Sequence, residues 1–122
     1  MEPVPFDMGS KHYELVLPWT VIREFERKVG KGYAQVDLGV NVDDTLTLLY
    51  YAAKTNSKNT NLQLEKFISN VSDAAARGEV RMADITTVLL ETLKRSFAWK
   101  EDDSEESGEG ERPLGSSNSS AA

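Results

Sequence analysis

Hydrophobicity ends abruptly near Lys100, and this boundary limits the possible folds more than any other feature of the chain. Beyond it, the only sizeable apolar side chain is Leu114, and most other residues are acids, serines and glycines. Such a segment buries too little apolar area to offset the entropy lost when a chain becomes ordered. We therefore predict one domain over residues 1–100 and a disordered acidic tail over residues 101–122.

The net negative charge is confined to that tail. Residues 101–122 hold seven of the 20 acidic residues and one of the 14 basic residues, which leaves 13 of each in residues 1–100. A neutral domain without a basic stripe releases few counterions from a phosphate backbone. We therefore expect no nucleic-acid partner.

The sequence also restricts the compartment. The uncharged run of residues 15–22 is about a third of a membrane span and contains Pro18, and no uncharged run in the sequence exceeds ten residues, so we expect no transmembrane helix and no membrane partner. The N-terminus lacks a basic segment followed by an apolar one, so we expect no secretory signal. Because the chain has no cysteine, disulfides and thiolate sites are excluded, and a reducing cytoplasm is the simplest location.

The N-terminal residues predict a short β-hairpin. Residues 11–17 alternate between two faces, one of Tyr13, Leu15 and Leu17 and the other of His12, Glu14 and Val16. Residues 4–8 have a similar spacing, and Gly9 supplies the positive φ that a tight turn between the two segments favours. Because an isolated hairpin is marginally stable in water, we expect it to pack on helices.

Two helices are predicted in the middle of the chain. Pro18 suits the first turn of helix one, and Gly30 ends that helix. The next segment, residues 33–40, is broken by Asp37 and Gly39, and we interpret it as a loop with one packed turn around Leu38. Helix two begins near Asn41, and its first turn holds two aspartates, Asp43 and Asp44, where the helix dipole favours negative charge.

Two further helices follow a polar solvent loop over residues 55–60. Thr60 and Gln63 have the spacing of a capping box, which predicts the start of helix three. Its apolar stripe consists of Leu64, Phe67, Ile68, Val71 and Ala75, and it ends at Arg77-Gly78. Helix four spans roughly Val80 to Trp99 and, as the longest, is the candidate for the spine of the core. The predicted fold is mostly α: a small N-terminal hairpin packed on a compact bundle of about four helices.

No residue pattern predicts catalysis or metal binding. The single histidine, His12, lies on the outer face of a predicted strand, and zinc would need further His or Cys ligands. The Gly30-Lys31-Gly32 run lacks the glycine spacing of a phosphate-binding loop, and the acidic pair of helix two lacks the alternating ligands of a calcium loop. Most aromatic residues follow helical stripes without interleaved basic residues, which favours core packing over base stacking. We expect a non-enzymatic binding protein without a cofactor.

Three stretches resemble the tail assembly chaperones of long-tailed (siphovirus-type) bacteriophages. That family typically reads Gly-Lys-x-Tyr-x-Leu, then a helix with Arg-x-(Leu/Phe)-Glu-x-x-Thr-Gly, then Leu-Leu-Tyr-Ala-Ala-Leu. The corresponding stretches here are Gly9 to Leu15, Ile22 to Gly30 and Leu46 to Lys54, with Val29 where the family often has threonine. They cover under a third of the chain, and the order of the predicted elements matches over the rest.

The resemblance implies a protein that binds the long, helical tape measure protein in the host cell cytoplasm, keeps it soluble and recruits tail tube subunits around it. It also implies a longer product made by ribosomal frameshifting, for which the acidic tail stands at the position of a linker. A homo-oligomer is compatible with this role. The alternative is a small helical adaptor or regulatory protein, for instance an inhibitor whose acidic tail mimics DNA.

Helices two and four carry apolar stripes that are wider than one packed face requires. A chaperone for an amphipathic client must expose apolar surface or create it by self-association. We therefore predict that the partner-binding surface consists of residues from the margins of these stripes: Leu48, Tyr51, Val88, Leu90 and Trp99. The competing interpretation is that these residues belong to the core.

Overall fold

The fold begins with an antiparallel hairpin and continues with four α-helices. The computed structural model describes residues 2–56 and 62–105, with side chains as far as Phe97. The elements are β1 (Val4–Met8), β2 (Lys11–Leu15), α1 (Trp19–Val29), a 3₁₀ turn (Tyr33–Gln35), α2 (Val42–Lys54), α3 (Leu64–Ala76) and α4 (Met82–Glu105). The predicted hairpin and helical bundle are confirmed.

The hairpin forms around Gly9, whose φ of 62° is the positive value that the tight turn requires. Its register pairs Val4 with Leu15 and Phe6 with Tyr13, so the inner face of β1 is buried on the helices. The predicted alternation is wrong at Val16. The strand has ended there, and Val16 is buried with its N–H donating to the carbonyl of Ala52, 3.1 Å away.

Both predicted ends of α1 are confirmed. Pro18 occupies its N-cap, and Gly30 ends it in the left-handed conformation with its N–H donating to the Glu26 carbonyl at 2.8 Å. In the loop that follows, Leu38 packs against the core in a turn, as expected, but the 3₁₀ turn was not predicted. The N-terminal end of this turn is fixed because the Tyr33 N–H donates to the Glu26 carboxylate at 2.8 Å.

Helix α2 begins where predicted, and its cap and first turn explain why. The Asn41 side chain accepts a hydrogen bond from the Asp44 N–H at 3.0 Å. The Asp44 carboxylate is largely buried, and its Oδ2 accepts no hydrogen bond of good geometry. The Lys31 ammonium, 2.8 Å away, compensates that charge. The Gly30-Lys31-Gly32 loop thus ends one helix and supplies the ion-pair partner of the next.

The core is organised around α2 and not around α4, so the prediction of the spine was wrong. α2 contacts β2, α1, α3 and α4. Every residue from Asp44 to Tyr50 is buried, so the helix is enclosed on all sides. A helix that is apolar around most of its circumference belongs at the centre of a bundle.

Helix α3 starts later than predicted. Its N-cap is Gln63, which therefore cannot occupy the third helical position that a capping box at Thr60 requires, and Thr60 itself lies outside the described residues. The predicted stop is confirmed, with Gly78 at a φ of 77°. The predicted stripe of this helix included Ala75, but Ala75 is exposed and its neighbour Ala74 is buried instead.

Helix α4 buries Ile85, Leu89 and Leu93 against the rest of the bundle. It extends through Glu105, so the predicted boundary between domain and tail at residue 100 falls inside a helix. The remainder of the predicted tail, residues 106–122, lies outside the described residues. Among those described, no helix is long and apolar enough to cross a membrane.

Candidate partner-binding surface

Exposed apolar side chains occur at the start of α1, around the start of α2 and on α4. Among the side chains that the structure describes, four large apolar ones are substantially exposed: Trp19 at 46%, Val40 at 79%, Val42 at 53% and Leu90 at 55%. We call these four residues the apolar strip. Trp19 is the first residue of α1, Val40 precedes the cap residue Asn41, Val42 is the first residue of α2 and Leu90 lies in α4.

Aromatic packing fixes one end of the apolar strip. The Trp19 ring lies 5.8 Å from the Phe97 ring, and its indole N–H donates to the Ser96 carbonyl at 3.3 Å. Tyr33 stacks on the same Phe97 with ring centroids 5.6 Å apart. These contacts hold Trp19 against α4 while nearly half of its surface stays in solvent.

A close contact between the backbone at Gly39 and α4 fixes the position of Val40. Gly39, at a φ of 85°, lies so close to α4 that a Cβ added there would be 2.7 Å from Thr86 Oγ1. The same glycine donates its N–H to Thr45 Oγ1 at 3.0 Å, which ties the loop to α2 as well. Val40 follows directly and is therefore held beside Thr86.

Helical spacing connects the two ends. Thr86, Leu90 and Phe97 are separated by four and seven residues, so they lie on the same side of α4. From Thr86 to Phe97 the helix rises by about 16 Å, or roughly three turns. Trp19 packs on Phe97 and Gly39 lies against Thr86, so α1 and the loop before α2 both border the side of α4 that carries Leu90.

The structure distributes the five predicted partner residues differently from the prediction. Leu90 is exposed and belongs to the apolar strip, and its role stays a prediction. Leu48 is 1% exposed, so its assignment to a surface was wrong: α2 is enclosed on every side, and what looked like a stripe margin faces another part of the core. The side chain of Trp99 lies outside the described part.

Tyr51 and Val88 are partly buried and pack against the core. The Tyr51 ring contacts the Phe25 ring edge to face at 6.4 Å, and the Lys54 ammonium lies 5.2 Å from its centre. Burial raises the pKa of the Tyr51 hydroxyl above its ordinary value. Neither residue lies on the side of α4 that carries Leu90, so the five predicted residues do not form one surface.

Sequence reasoning missed Trp19, Val40 and Val42 as surface residues. Most aromatic residues were assigned to core stripes, yet Trp19 is the first residue of α1, where no preceding turn covers the side chain. Val40 and Val42 flank the cap residue Asn41, at a helix start whose first N–H groups need a cap or solvent. These positions, at a helix start and beside a helix cap, could have indicated from the sequence that the three side chains are exposed.

A polar cleft lies near the hairpin turn, away from the apolar strip. It has a volume of about 320 Å³ and is lined by Met8, Ser10, Lys11, Asn70, Asp73, Arg77 and Glu79. Arg77 donates two hydrogen bonds to Glu79, at 3.0 and 3.1 Å, which lowers the pKa of that carboxyl. The positive charge of Arg77 in this cleft is therefore balanced by Glu79.

His12 lies on the outer face of the hairpin, as predicted. Its Nδ1 contacts Asp7 Oδ1 at 2.5 Å, and its Nε2 contacts Glu14 Oε2. The hydrogen bonds to Asp7 and then to Glu14 raise the pKa of the imidazole. Both ring nitrogens are occupied, and no group of side chains in residues 2–56 and 62–97 is arranged to hold a metal ion.

Comparison of the chain with protein-family models, with curated proteins and with solved structures gives no significant match. The apolar strip is therefore interpreted from its own geometry and from the sequence motifs.

Proposed function

We propose that this chain is a non-enzymatic tail assembly chaperone of the kind that long-tailed bacteriophages use, and that it binds and solubilises the tape measure protein in the host cell cytoplasm. The observation that carries the proposal is the exposed apolar strip. An isolated exposed apolar side chain is common on a domain surface, but Trp19 packs on Phe97 of the same helix that exposes Leu90, and apolar exposure on two neighbouring elements favours a partner. The motifs in β2, α1 and α2 supply the identity of that partner.

The shape of the apolar strip suits a helical client. An amphipathic helix presents apolar residues at intervals of three and four, and the side of α4 from Thr86 to Phe97, about three turns long, can contact two or three of these anchors. Trp19 is the strongest contributor, because partly exposed tryptophans held in place by neighbours are typical of binding hot spots. The exposed Arg23 and Lys94 follow Trp19 and Leu90 by one helical turn, so acidic residues on the client would be favoured beside its apolar anchors.

Two further roles belong to the same proposal. The chaperone recruits tail tube subunits to the bound tape measure protein, and a frameshifted product extends the chain beyond its acidic end. Both come from the sequence resemblance. The apolar strip uses only residues between 19 and 90 and leaves the C-terminal residues available for such an extension.

Co-expression with the tape measure protein tests the proposal. We expect the client to remain soluble and to co-purify with the chain. The double substitution Trp19→Ser and Leu90→Ser should reduce co-purification at least tenfold, because it removes the exposed tryptophan of α1 and the exposed leucine of α4. Ala76→Ser, an exposed position at the end of α3, is the matched control and should bind as the unmodified chain does.

A client that stays insoluble and does not co-purify would contradict the proposal. Genomic context gives a second, independent check. A major tail protein gene upstream and a very long coiled-coil-rich reading frame downstream are expected, whereas regulatory genes on both sides would contradict the assignment.

A further inference from the structure

The hairpin has two outer edges, and they differ in their capacity to pair with another strand. A two-residue turn makes Met8 and Lys11 a hydrogen-bonded pair, so Phe6 pairs with Tyr13 and Val4 with Leu15 in the same way. The alternate residues direct their backbone groups outwards. These are Pro5 and Asp7 on β1, and His12 and Glu14 on β2.

A contact just after β2 confirms this alternation. Val16 is the next residue in the outward-facing series of His12 and Glu14. It donates its N–H to the Ala52 carbonyl at 3.1 Å and not to β1. α2 therefore covers the end of the β2 edge. The backbone N–H and C=O groups of His12 and Glu14 have no partner in residues 2–56 and 62–105, and both side chains are about half exposed.

The β1 edge is closed in two ways. Pro5 has no N–H to donate, and proline on an edge strand is a recognised means of preventing strand addition. The Pro3 carbonyl, just before β1, already accepts a hydrogen bond from Arg95 at 2.8 Å. The two edges are therefore unequal, and only the β2 edge offers complete pairs of donors and acceptors.

The sequence of β2 complements itself when it is paired in antiparallel orientation around Tyr13. In that register each His12 lies directly opposite the Glu14 of a second copy, and all four outward-facing residues form hydrogen-bonded pairs. Moving the register by two residues places His12 opposite His12 or Glu14 opposite Glu14, and like charges opposite one another are destabilising. Moving it by one residue misaligns the backbone groups.

We propose that two copies of this chain associate through their β2 edges, with Tyr13 on the two-fold axis, to form a continuous four-stranded antiparallel sheet. Such an isologous contact closes after two copies, which is the commonest symmetry of homo-oligomers. β1 is the strand that packs against α4, so a copy added at β2 leaves the apolar strip open. The inference is independent of the proposed function.

Proline substitution on the open edge tests the pairing. Because the N–H of Glu14 faces away from β1, Glu14→Pro leaves every backbone hydrogen bond of the hairpin intact and removes two of the four that join the copies. In sedimentation equilibrium of the full chain we expect the unmodified protein to be dimeric and Glu14→Pro to dissociate at least tenfold more readily. Far-UV circular dichroism and the thermal midpoint of the Glu14→Pro monomer should match those of the Glu14→Ala monomer, since both lack the side-chain bond from Glu14 to His12. Glu14→Ala, which keeps the N–H, is the matched control and should weaken the dimer less.

Hydrogen exchange in the unmodified protein keeps the proposal testable even when Glu14→Pro does not fold. The amides of His12 and Glu14 should exchange more slowly as the protein concentration rises, while the amide of Asp7, on the closed edge, should not change. A chain that is monomeric at all concentrations would overturn the proposal, as would exchange at His12 and Glu14 that is independent of concentration. Protection of these amides only when a client is added would assign the edge to the client and would also overturn it.

Discussion

Helices α2 and α4 both carry wide apolar stripes but bury them differently. Every α2 residue from Asp44 to Tyr50 is buried, and the helix contacts three other helices and β2. α4 buries one face through Leu89 and leaves Leu90, its neighbour, 55% exposed. A wide apolar stripe therefore belongs either to a central helix or to one that leaves part of the stripe in solvent, and the number of surrounding elements decides which.

The largest expected effect comes from truncating the centre of α2. Leu49→Ala removes a fully buried side chain and should lower the free energy of unfolding by about 2–5 kcal/mol, because the enclosed site cannot collapse around the cavity. Urea denaturation followed by circular dichroism measures the change. A loss below about 1 kcal/mol would mean that α2 is not the centre of the core.

A second test concerns the seam where the loop before α2 meets α4. Gly39→Ala should cost about 1–3 kcal/mol, because the φ of 85° disfavours any side chain and the new Cβ would lie 2.7 Å from Thr86 Oγ1. Gly30→Ala is the matched control. Its φ is 80°, but nothing lies within 4 Å of the new Cβ, so it should cost less. Equal losses in thermal denaturation would show that the loop does not press on α4.

Truncating a leucine of α4 to alanine, the same change as Leu49→Ala in α2, should leave stability almost unchanged. Leu90→Ala should alter the free energy of unfolding by no more than about 0.5 kcal/mol, because over half of that side chain is already in solvent. Urea denaturation beside Leu49→Ala makes the comparison direct. A loss comparable to that of Leu49→Ala would place Leu90 in the core and remove it from the apolar strip.

The smallest expected effect is a pH dependence on the hairpin surface. The pKa of His12 is raised above 6.5, so its bonds to Asp7 and Glu14 contribute stability that is fully present below pH 6.5 and is lost as the pH rises through the folded-state value. The thermal midpoint of His12→Gln should therefore fall below that of the unmodified chain at about pH 5.5 and approach it at about pH 8.5. A difference that grows with pH would contradict this assignment.

Much of the fold follows from local signals in the sequence. Gly9, Pro18, Gly30 and Asn41 each act on their own neighbours, and the elements that they start or end were predicted correctly. The start of α3 was placed wrongly because a capping box can be matched by residues that do not form one. The end of α4 was missed because its last residues are too polar to show an apolar period.

The candidate site was less predictable, because exposure depends on which elements surround a residue. Leu48 and Leu90 both lie at the margin of an apolar stripe, and nothing local to either distinguishes the buried one from the exposed one. The apolar strip also joins Trp19 to Val40 and Leu90, which are distant in sequence. Only the packing of α1 and of the Gly39 loop on α4 brings them together.

The central position of α2 also has a consequence for the order of folding. The hairpin alone is marginally stable, and α1, α3 and α4 each find their contacts on α2. Substitutions in the buried part of α2 are therefore expected to slow folding, whereas Leu90→Ala, at an exposed position of α4, affects neither limb of the folding kinetics. During synthesis the hairpin, α1 and α2 emerge before α3, so the first half of the chain leaves the ribosome with its organising helix already present.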